Sequence, residues 1–436
     1  MLETFRSIFK IEELRKRILL TFALLVVYRI GGHIPTPGVD GSIIANALAS
    51  QGTIFGLIDL FAGGNFAKAT IFAMGIMPYI SASIMLQLLG TVVPYLQRLQ
   101  REGEEGRRKI TQYTRYLTVV IAALQAWGTA GFLATLSFDG VQAVHMDHGP
   151  FIFLTILTFT AGTIFIMWLG EQITERGIGN GTSLIIFIGI IARFPEAIIT
   201  EVELLLVGTR SVFTEFLMIA LALIVIASVV LITRAQRRIP VQYPKRVVGR
   251  RVFGGAQTFL PLSVNAAGVI PIIFTQSIMI LPSTVAQLFT ETEWLQNLVS
   301  KGLAPGSFWY SFIYILIIIF FAYFYTAVVF NPTELADNMR KNGGYIPGIR
   351  PGKNTADYIE KVLTRITLPG ALFFAAIAVL PFLLIGSFNV NFFFGGTSIL
   401  IVVGVALDTL QQIESHLLMR HYDGFLKKGR IRGRSY

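Results

Sequence analysis

Ten apolar stretches of roughly 20 residues are the feature of this sequence that most restricts its fold. They lie near residues 18–34, 70–93, 116–136, 151–170, 181–199, 214–232, 264–289, 308–330, 366–388 and 396–414. A helix of about 20 apolar residues crosses the hydrocarbon core of a bilayer. Only 14% of the chain is charged, against about 25% in soluble proteins. The sequence therefore predicts an all-α polytopic membrane protein with ten transmembrane helices.

The Lys and Arg residues predict how the chain is oriented in the membrane. All but five of the 36 lie in the two termini and in alternate connections. The exceptions are Arg29, Lys68, Arg193, Arg210 and Lys301. Because cytoplasmic connections carry the excess of Lys and Arg, both termini are predicted to be cytoplasmic.

A shorter apolar segment separates the first two runs. It covers about residues 54–65, is interrupted by Asp59 and ends at Gly63, Gly64 and Asn65. The segment is too short to cross a bilayer, so an interfacial or re-entrant element is one interpretation. A helix in an external loop is the other.

A weak internal repeat relates the second and seventh runs. Gly75-Ile-Met-Pro78 matches Gly268-Val-Ile-Pro271 at an offset of 193 residues. The match is consistent with two five-helix halves of opposite topology, although chance or ordinary proline kinking also produces such a pattern. The predicted organisation is an N-terminal half at 1–200, a C-terminal half at 201–415 and a basic cytoplasmic tail at 416–436.

Residues that normally carry catalysis or ion coupling are scarce. Asp408 alone lies well within a predicted span, the histidines show no metalloprotease spacing, and there is no cysteine. The glycines around Gly348 lack the complete phosphate-loop pattern. We predict no catalytic residue, no metal site and no cofactor, which disfavours an intramembrane enzyme. A secondary transporter of small solutes stays open at this point, because such proteins share inverted repeats and broken helices.

The sixth and eighth connections, predicted as cytoplasmic loops 233–260 and 331–365, are strongly basic. Between Arg234 and Arg251 there are seven basic residues and no acidic one. Such a loop suits rRNA phosphates or an acidic protein face, and anionic lipid head groups are the alternative.

Five motifs spread along the chain resemble those of the SecY family of bacterial protein-conducting channels. They are Ile34-Pro-Thr-Pro-Gly38, Gly75-Ile-Met-Pro-Tyr-Ile-Ser-Ala-Ser83, the segment from Glu104 to Tyr116, the segment from Glu171 to Gly181, and Gly348-Ile-Arg-Pro-Gly352. The resemblance covers essentially the whole chain. It implies two pseudo-symmetric, inverted five-helix halves that are hinged on one side and open to lipid on the other, with a short re-entrant plug helix.

The resemblance also implies roles for individual residues. A pore ring would consist of Ile76, Ile80, Ile186, Ile273 and Ile401. The plug would contain Leu57, Ile58, Asp59, Leu60, Phe61, Ala62, Gly63, Gly64 and Asn65. The lateral gate would include Ser81, Ile84, Gln87, Gln276 and Leu281. Docking of a motor or ribosome would involve Arg237, Arg238, Lys245, Arg246, Arg250, Arg251, Arg340, Lys341, Arg350 and Lys353. The roles of Thr182 and Asp408 stay open.

A chain of this family is expected to be the central pore-forming subunit of a Sec translocon in the bacterial cytoplasmic (inner) membrane. It would pass unfolded preproteins with signal sequences and release apolar segments sideways into lipid. The implied partners are the SecE and SecG subunits, the motor ATPase SecA, the ribosome and anionic lipids. An apolar ring resists ion leakage because hydrated ions gain nothing there in exchange for their water.

Overall fold

The computed structural model describes residues 11–51, 59, 62–139, 141–208, 211–243, 246–248, 251–253, 257–265, 268–288, 294, 297, 302–303, 306–388 and 396–428. Its helices are α1 (Glu12–Gly31), α2 (Gly41–Gln51), α3 (Met77–Val92), α4 (Pro94–Arg101), α5 (Glu104–Thr135), α6 (His148–Arg176), α7 (Gly181–Ile191), α8 (Phe194–Leu206), α9 (Val212–Arg234), α10 (Ile270–Leu288), α11 (Phe308–Val329), α12 (Pro332–Lys341), α13 (Lys353–Phe388) and α14 (Gly396–Lys428). Its strands are β1 (Ser137–Phe138), β2 (Val141–Gln142), β3 (Gln236–Gln242), β4 (Arg246–Val248), β5 (Arg251–Phe253) and β6 (Gln257–Ser263).

In the described part of the chain, nine of the ten predicted runs coincide with one helix each, and the fifth coincides with α7 and α8. Among the described residues, seven helical segments are long and apolar enough to span a membrane, and α3 with α4 forms a pair bent by 99°, which is either a broken span or a re-entrant loop. The first run corresponds to α1 and the seventh to α10, which are 20 and 19 residues long. The prediction of an all-α polytopic membrane fold is confirmed.

The two copies of the weak repeat have the same local structure. Gly75 and Gly268 both have positive φ angles, +56° and +64°. Helices α3 and α10 begin two residues later, each with proline at its second position. Proline is favoured there because the first helical turn leaves its backbone N–H groups unpaired. The second run was predicted to be helical from residue 70, but its helix begins at Met77 because turns occupy the preceding residues.

The described residues divide into two compact units. The first takes in Met1–Thr200, Ile280–Val299 and Val405–Tyr436, and the second Glu201–Met279 and Ser300–Gly404. The predicted halves at 1–200 and 201–415 concern orientation in a membrane and stay a prediction.

In the first unit, α5 and α6 pack along each other and are linked by a charged pair. Arg115 donates from Nε to Glu171 Oε1 at 2.9 Å and from Nη2 to Glu171 Oε2 at 2.8 Å. Parallel hydrogen bonds of this kind fix the relative position of two helices. A buried apolar cluster that includes Ala126, Ala130 and Phe159 lies between them.

In the second unit, the sixth connection forms an antiparallel hairpin. Strand β3 pairs with β6 over seven residues, from Gln236↔Ser263 to Gln242↔Gln257. Ile239 and Val241 point inward and alternate with exposed neighbours, which is the period expected of a strand with one buried face. We name the surface formed by this hairpin, α12 and residues 342–352 the basic platform.

Candidate functional site

Part of the predicted plug is described, and its position can be compared with the prediction. Asp59, Ala62, Gly63 and Asn65 are buried, and Gly64 is half-buried. Leu57, Ile58, Leu60 and Phe61 lie outside the described residues. The described residues of this segment contact α1, α7 and the turn that follows α7, all within the first unit.

Asp59 forms an ion pair with Arg193, which lies in the turn between α7 and α8. Arg193 Nη1 is 2.8 Å from Asp59 Oδ2, and the side chains are 21% and 5% exposed. The other carboxylate oxygen, Oδ1, accepts a hydrogen bond from the backbone N–H of Ala67 at 2.8 Å. Burial raises the pKa of Asp59, while Arg193 and the amides of Ala67 and Phe66 oppose that shift. The ion pair thus offsets part of the cost of burying this carboxylate.

Two consecutive residues of α1 hold the other end of the segment. Tyr28 donates its hydroxyl proton to the carbonyl oxygen of Ala62 at 3.3 Å. Asn65 in turn donates from Nδ2 to the Tyr28 hydroxyl oxygen at 3.2 Å. Arg29 Nη1 donates to the carbonyl oxygen of Gly63 at 3.3 Å. The predicted plug is therefore fixed by polar contacts to α1 as well as by the ion pair.

Two glycines allow this segment to lie directly against α7. Gly63 has φ of +71°, and a Cβ atom placed on it would lie 2.7 Å from Gly189 Cα. No Cβ atom fits at that distance from backbone. Gly189 lies three residues after Ile186 on the same helix, a rise of about 4.5 Å. The segment is thus less than one helical turn, along α7, from a predicted member of the pore ring.

All five isoleucines of the predicted pore ring are buried. Their exposed fractions are 4% or less. The first unit carries Ile76, Ile80 and Ile186, and the second carries Ile273 and Ile401. Ile80 and Ile273 differ by the repeat offset of 193 and follow the positive-φ glycines of α3 and α10 by the same number of residues. The ring itself stays a prediction.

The predicted lateral-gate residues lie on α3 and α10. Ser81, Ile84 and Gln276 are buried, and Gln87 and Leu281 are half-buried. The Gln276 side chain is anchored within the second unit because Tyr314 donates its hydroxyl proton to Gln276 Oε1 at 3.1 Å. The Tyr314 ring also stacks on Tyr310, with centroids 5.8 Å apart. Their joint role as a gate stays a prediction.

The basic platform is tied together by one pair of residues from different connections. Gln242 and Tyr345 exchange two backbone hydrogen bonds of 2.9 and 3.0 Å. The Tyr345 hydroxyl also donates to Gln242 Oε1 at 3.0 Å. Beneath them lies an apolar cluster of the hairpin, α12 and the first turns of α13, whose buried members are Ile239, Val241, Leu262, Met339, Ile346, Ile359 and Leu363. The sixth and eighth connections therefore form one packed body with α13.

The predicted docking residues that the structure describes lie on this body. Six of them have exposed side chains, namely Arg237, Arg238, Arg340, Lys341, Arg350 and Lys353. Arg246 and Arg251 belong to the paired strands β4 and β5, and Lys245 and Arg250 lie outside the described residues. The backbone of Arg350 is held because its carbonyl oxygen accepts from Thr355 Oγ1 at 2.9 Å. An exposed guanidinium on a fixed backbone suits recognition of a carboxylate or phosphate.

Sequence reasoning missed the residues that hold the plug. Arg29 and Arg193 were recognised only as cations on the side opposite to the basic connections, and Tyr28 was not singled out. The available signal was the lone Asp59 in an apolar segment, because a buried carboxylate requires a cationic partner. Thr182 lies near the start of α7 and Asp408 is on α14. No contact in the described residues assigns either a role, and those residues contain no cluster of metal-ligating side chains.

Comparison with known proteins gives a consistent result. A family model described as SecY matches residues 70–410. Proteins named protein translocase subunit SecY are 46% identical in Aquifex aeolicus, covering 98% of this chain and 100% of that protein, and 47% identical in Thermotoga maritima, covering 100% of both. The relative in Streptomyces scabiei is 49% identical over 98% of this chain and 100% of its own length.

Solved structures show the same fold. One described as a protein conducting channel has a TM-score of 0.67 at 19% identity, with 92% of each chain covered. Another, on the plug domain that stabilises the closed state of a SecY channel, has a TM-score of 0.65 at 18% identity and 92% coverage of each chain. Sec61 in the canine ribosome-channel complex has a TM-score of 0.61 at 17% identity and the same coverage.

Proposed function

This chain belongs to the SecY family, and we propose on that premise that it is the pore-forming subunit of a Sec translocon. It would pass unfolded preproteins across the bacterial cytoplasmic membrane and release their apolar segments sideways into the bilayer. The observation that carries this proposal is that Asp59 pairs with Arg193 and Gly63 lies against Gly189, on the helix bearing Ile186. A segment held by side-chain contacts beside an apolar constriction suits a channel that must be closed when idle. No observation favours the solute transporter.

In the proposed mechanism, the ring of Ile76, Ile80, Ile186, Ile273 and Ile401 forms the constriction. Their side chains offer no polar group to bind a passing peptide, and they resist hydrated ions when no peptide is present. The plug covers the constriction from outside. A signal sequence enters at the proposed gate residues Ser81, Ile84, Gln87, Gln276 and Leu281. Transfer of its apolar core into lipid favours opening by about 0.8 kcal/mol per buried CH₂ group.

The two proposed halves, 1–200 and 201–415, separate to open this gate, and SecE and SecG are the proposed companion subunits. The distribution of Lys and Arg supports a cytoplasmic location for both termini and for the tail at 416–436. The basic platform then faces the cytoplasm. It is proposed to bind the motor ATPase SecA and rRNA of the ribosome, with anionic lipids near its edges. The canine relative was solved in a complex with a ribosome.

Arg350→Glu tests this docking role. The guanidinium is exposed, so the substitution leaves the apolar cluster below intact, and we expect unchanged span orientation with sharply reduced SecA-driven translocation or ribosome binding. Lys353→Glu is the matched control, because it makes the same charge change three residues away, and a smaller loss is expected. The measurement is preprotein uptake into vesicles with equal amounts of channel, alongside protease mapping of the loops. Full activity of Arg350→Glu would remove this residue from the docking surface.

A further inference from the structure

We propose that the Asp59–Arg193 ion pair is a latch that sets how strong a signal sequence must be to open the channel. This inference rests on the proposed function and makes Arg193, which no sequence motif singled out, a specificity-determining residue. The substrates that it would discriminate are preproteins whose signal sequences differ in the length of the apolar core.

The two oxygens of Asp59 have different partners, and this difference defines the latch. Oδ1 accepts from the N–H of Ala67, eight residues along the same segment. Oδ2 pairs with Arg193, 134 positions away in the sequence, where α7 ends. If the segment leaves α7 as one piece, the bond to Ala67 moves with it. Of the two contacts of the Asp59 carboxylate, the ion pair to Arg193 is the one that must break.

Burial makes that contact expensive to break. Both side chains are largely removed from solvent, at 5% and 21% exposure. Loss of one partner from a buried pair leaves an uncompensated charge, which is far more costly than loss of an exposed pair. Glu196, on the first turn of α8, acts on Asp59 as a like charge and opposes the latch. The net attraction thus depends on Arg193.

The latch differs from the contacts that Tyr28 and Arg29 make with backbone carbonyl oxygens of this segment because it joins two side chains. Tyr28 and Arg29 bind the carbonyl oxygens of Ala62 and Gly63, which any residue at those positions would supply. The Asp59–Arg193 pair joins two charged side chains, so a single substitution can weaken or reverse it. A threshold for opening is therefore adjustable at these two positions by substitutions that keep an acceptor for the Ala67 N–H.

The test uses the full chain with its channel partners in vesicles and two preproteins, one with an intact signal sequence and one with a shortened apolar core. We expect Asp59→Asn and Arg193→Gln each to raise uptake of the weak-signal preprotein by about tenfold or more, because a buried charge loses its partner. Uptake of the strong-signal preprotein should not change. Lys68→Gln, an exposed cation predicted on the same side of the membrane, is the matched control and should behave as wild type. The double variant Asp59→Arg with Arg193→Asp restores the ion pair but not the acceptor for the Ala67 N–H, and it should recover part of the stringency.

The outcomes separate the latch from the proposed function. Unchanged uptake of the weak-signal preprotein in both single variants, with normal strong-signal uptake, would overturn the latch and leave the channel assignment intact. Failure of the wild-type chain to transport the strong-signal preprotein would instead overturn the proposed function. If a single variant misfolds, the charge-reversed pair is the deciding measurement, since a latch predicts that this variant still discriminates between the two preproteins. Loss of discrimination in that double variant, despite normal insertion, counts against the latch.

Discussion

Replacement of Gly63 by alanine should open the idle channel more than the same replacement at Gly64. The two glycines are neighbours in the chain and both have positive φ angles, +71° and +83°. They differ in what surrounds them. A Cβ atom on Gly63 would lie 2.7 Å from Gly189 Cα, whereas one on Gly64 would meet nothing within 4 Å. Gly64→Ala is therefore a matched control for backbone strain.

The expected difference follows from these contacts. Alanine in the left-handed region costs roughly 1–2 kcal/mol at either position. At Gly63 the added methyl group meets backbone, which cannot rotate away, and such overpacking costs about 1–3 kcal/mol more. The loss of unfolded-chain entropy on replacing glycine is similar at both sites and cancels in the comparison. Docking of the plug should thus be weaker in Gly63→Ala than in Gly64→Ala by a factor of roughly 5 to 150.

Ion conductance of the channel in planar bilayers, without preprotein or motor, measures this effect. Gly63→Ala should leak clearly more than Gly64→Ala, and both should leak at least as much as wild type. Equal amounts of inserted protein and equal thermal midpoints in detergent would show that the variants do not differ in global stability, so that a difference in leakage arises at the plug. If the two variants leak equally, the contact between Gly63 and Gly189 does not hold the plug.

Two further predictions concern the membrane and the ring. Reporter fusions after Lys353 should give a cytoplasmic signal and those after Asp147 a signal from the opposite side; a cytoplasmic signal at Asp147 would contradict the ten-span topology. Replacing Ile80 or Ile273 with Asn should raise idle conductance and admit defective signal sequences, because a polar side chain holds water in the constriction. Wild-type conductance and wild-type stringency in both variants would mean that these residues only pack against their neighbours and do not seal the channel.

The sequence was sufficient for the spans because each requires only a long apolar run, and a bilayer imposes that length directly. It was less informative where backbone conformation changes within a run. The second span was expected from residue 70, yet Gly75 delays the helix to Met77 through its positive φ angle. Composition cannot distinguish an apolar turn from an apolar helix, since both bury the same side chains.

Polar contacts between distant segments were the part of the site that the sequence could not reveal. In the sequence, Asp59 stands out because it interrupts an apolar segment, and Arg193 because it lies outside the basic connections. Nothing in their spacing of 134 residues pairs them. The hairpin of the sixth connection left a signal in the alternation of Ile239 and Val241 with exposed neighbours, but the excess of basic residues there directed attention to charge. Gln242 and Tyr345 are linked by two backbone hydrogen bonds and one side-chain hydrogen bond, and a single Gln and a single Tyr 103 residues apart form no recognisable pattern.

The described contacts of the plug lie in the first unit, and those of the basic platform lie in the second. A channel that opens when a partner binds its cytoplasmic face must couple the two, and equilibrium coupling is reciprocal. A variant that weakens docking of the plug should therefore strengthen partner binding, although it touches no platform residue.

Gly63→Ala should raise the affinity of SecA or ribosomes for the full channel, by no more than the factor by which it weakens the plug. Binding titrations on wild-type, Gly63→Ala and Gly64→Ala channels measure this, and the affinities should follow the order of the leaks. Identical affinities in all three, despite different leaks, would mean that partner binding leaves the plug in place and that the preprotein alone displaces it.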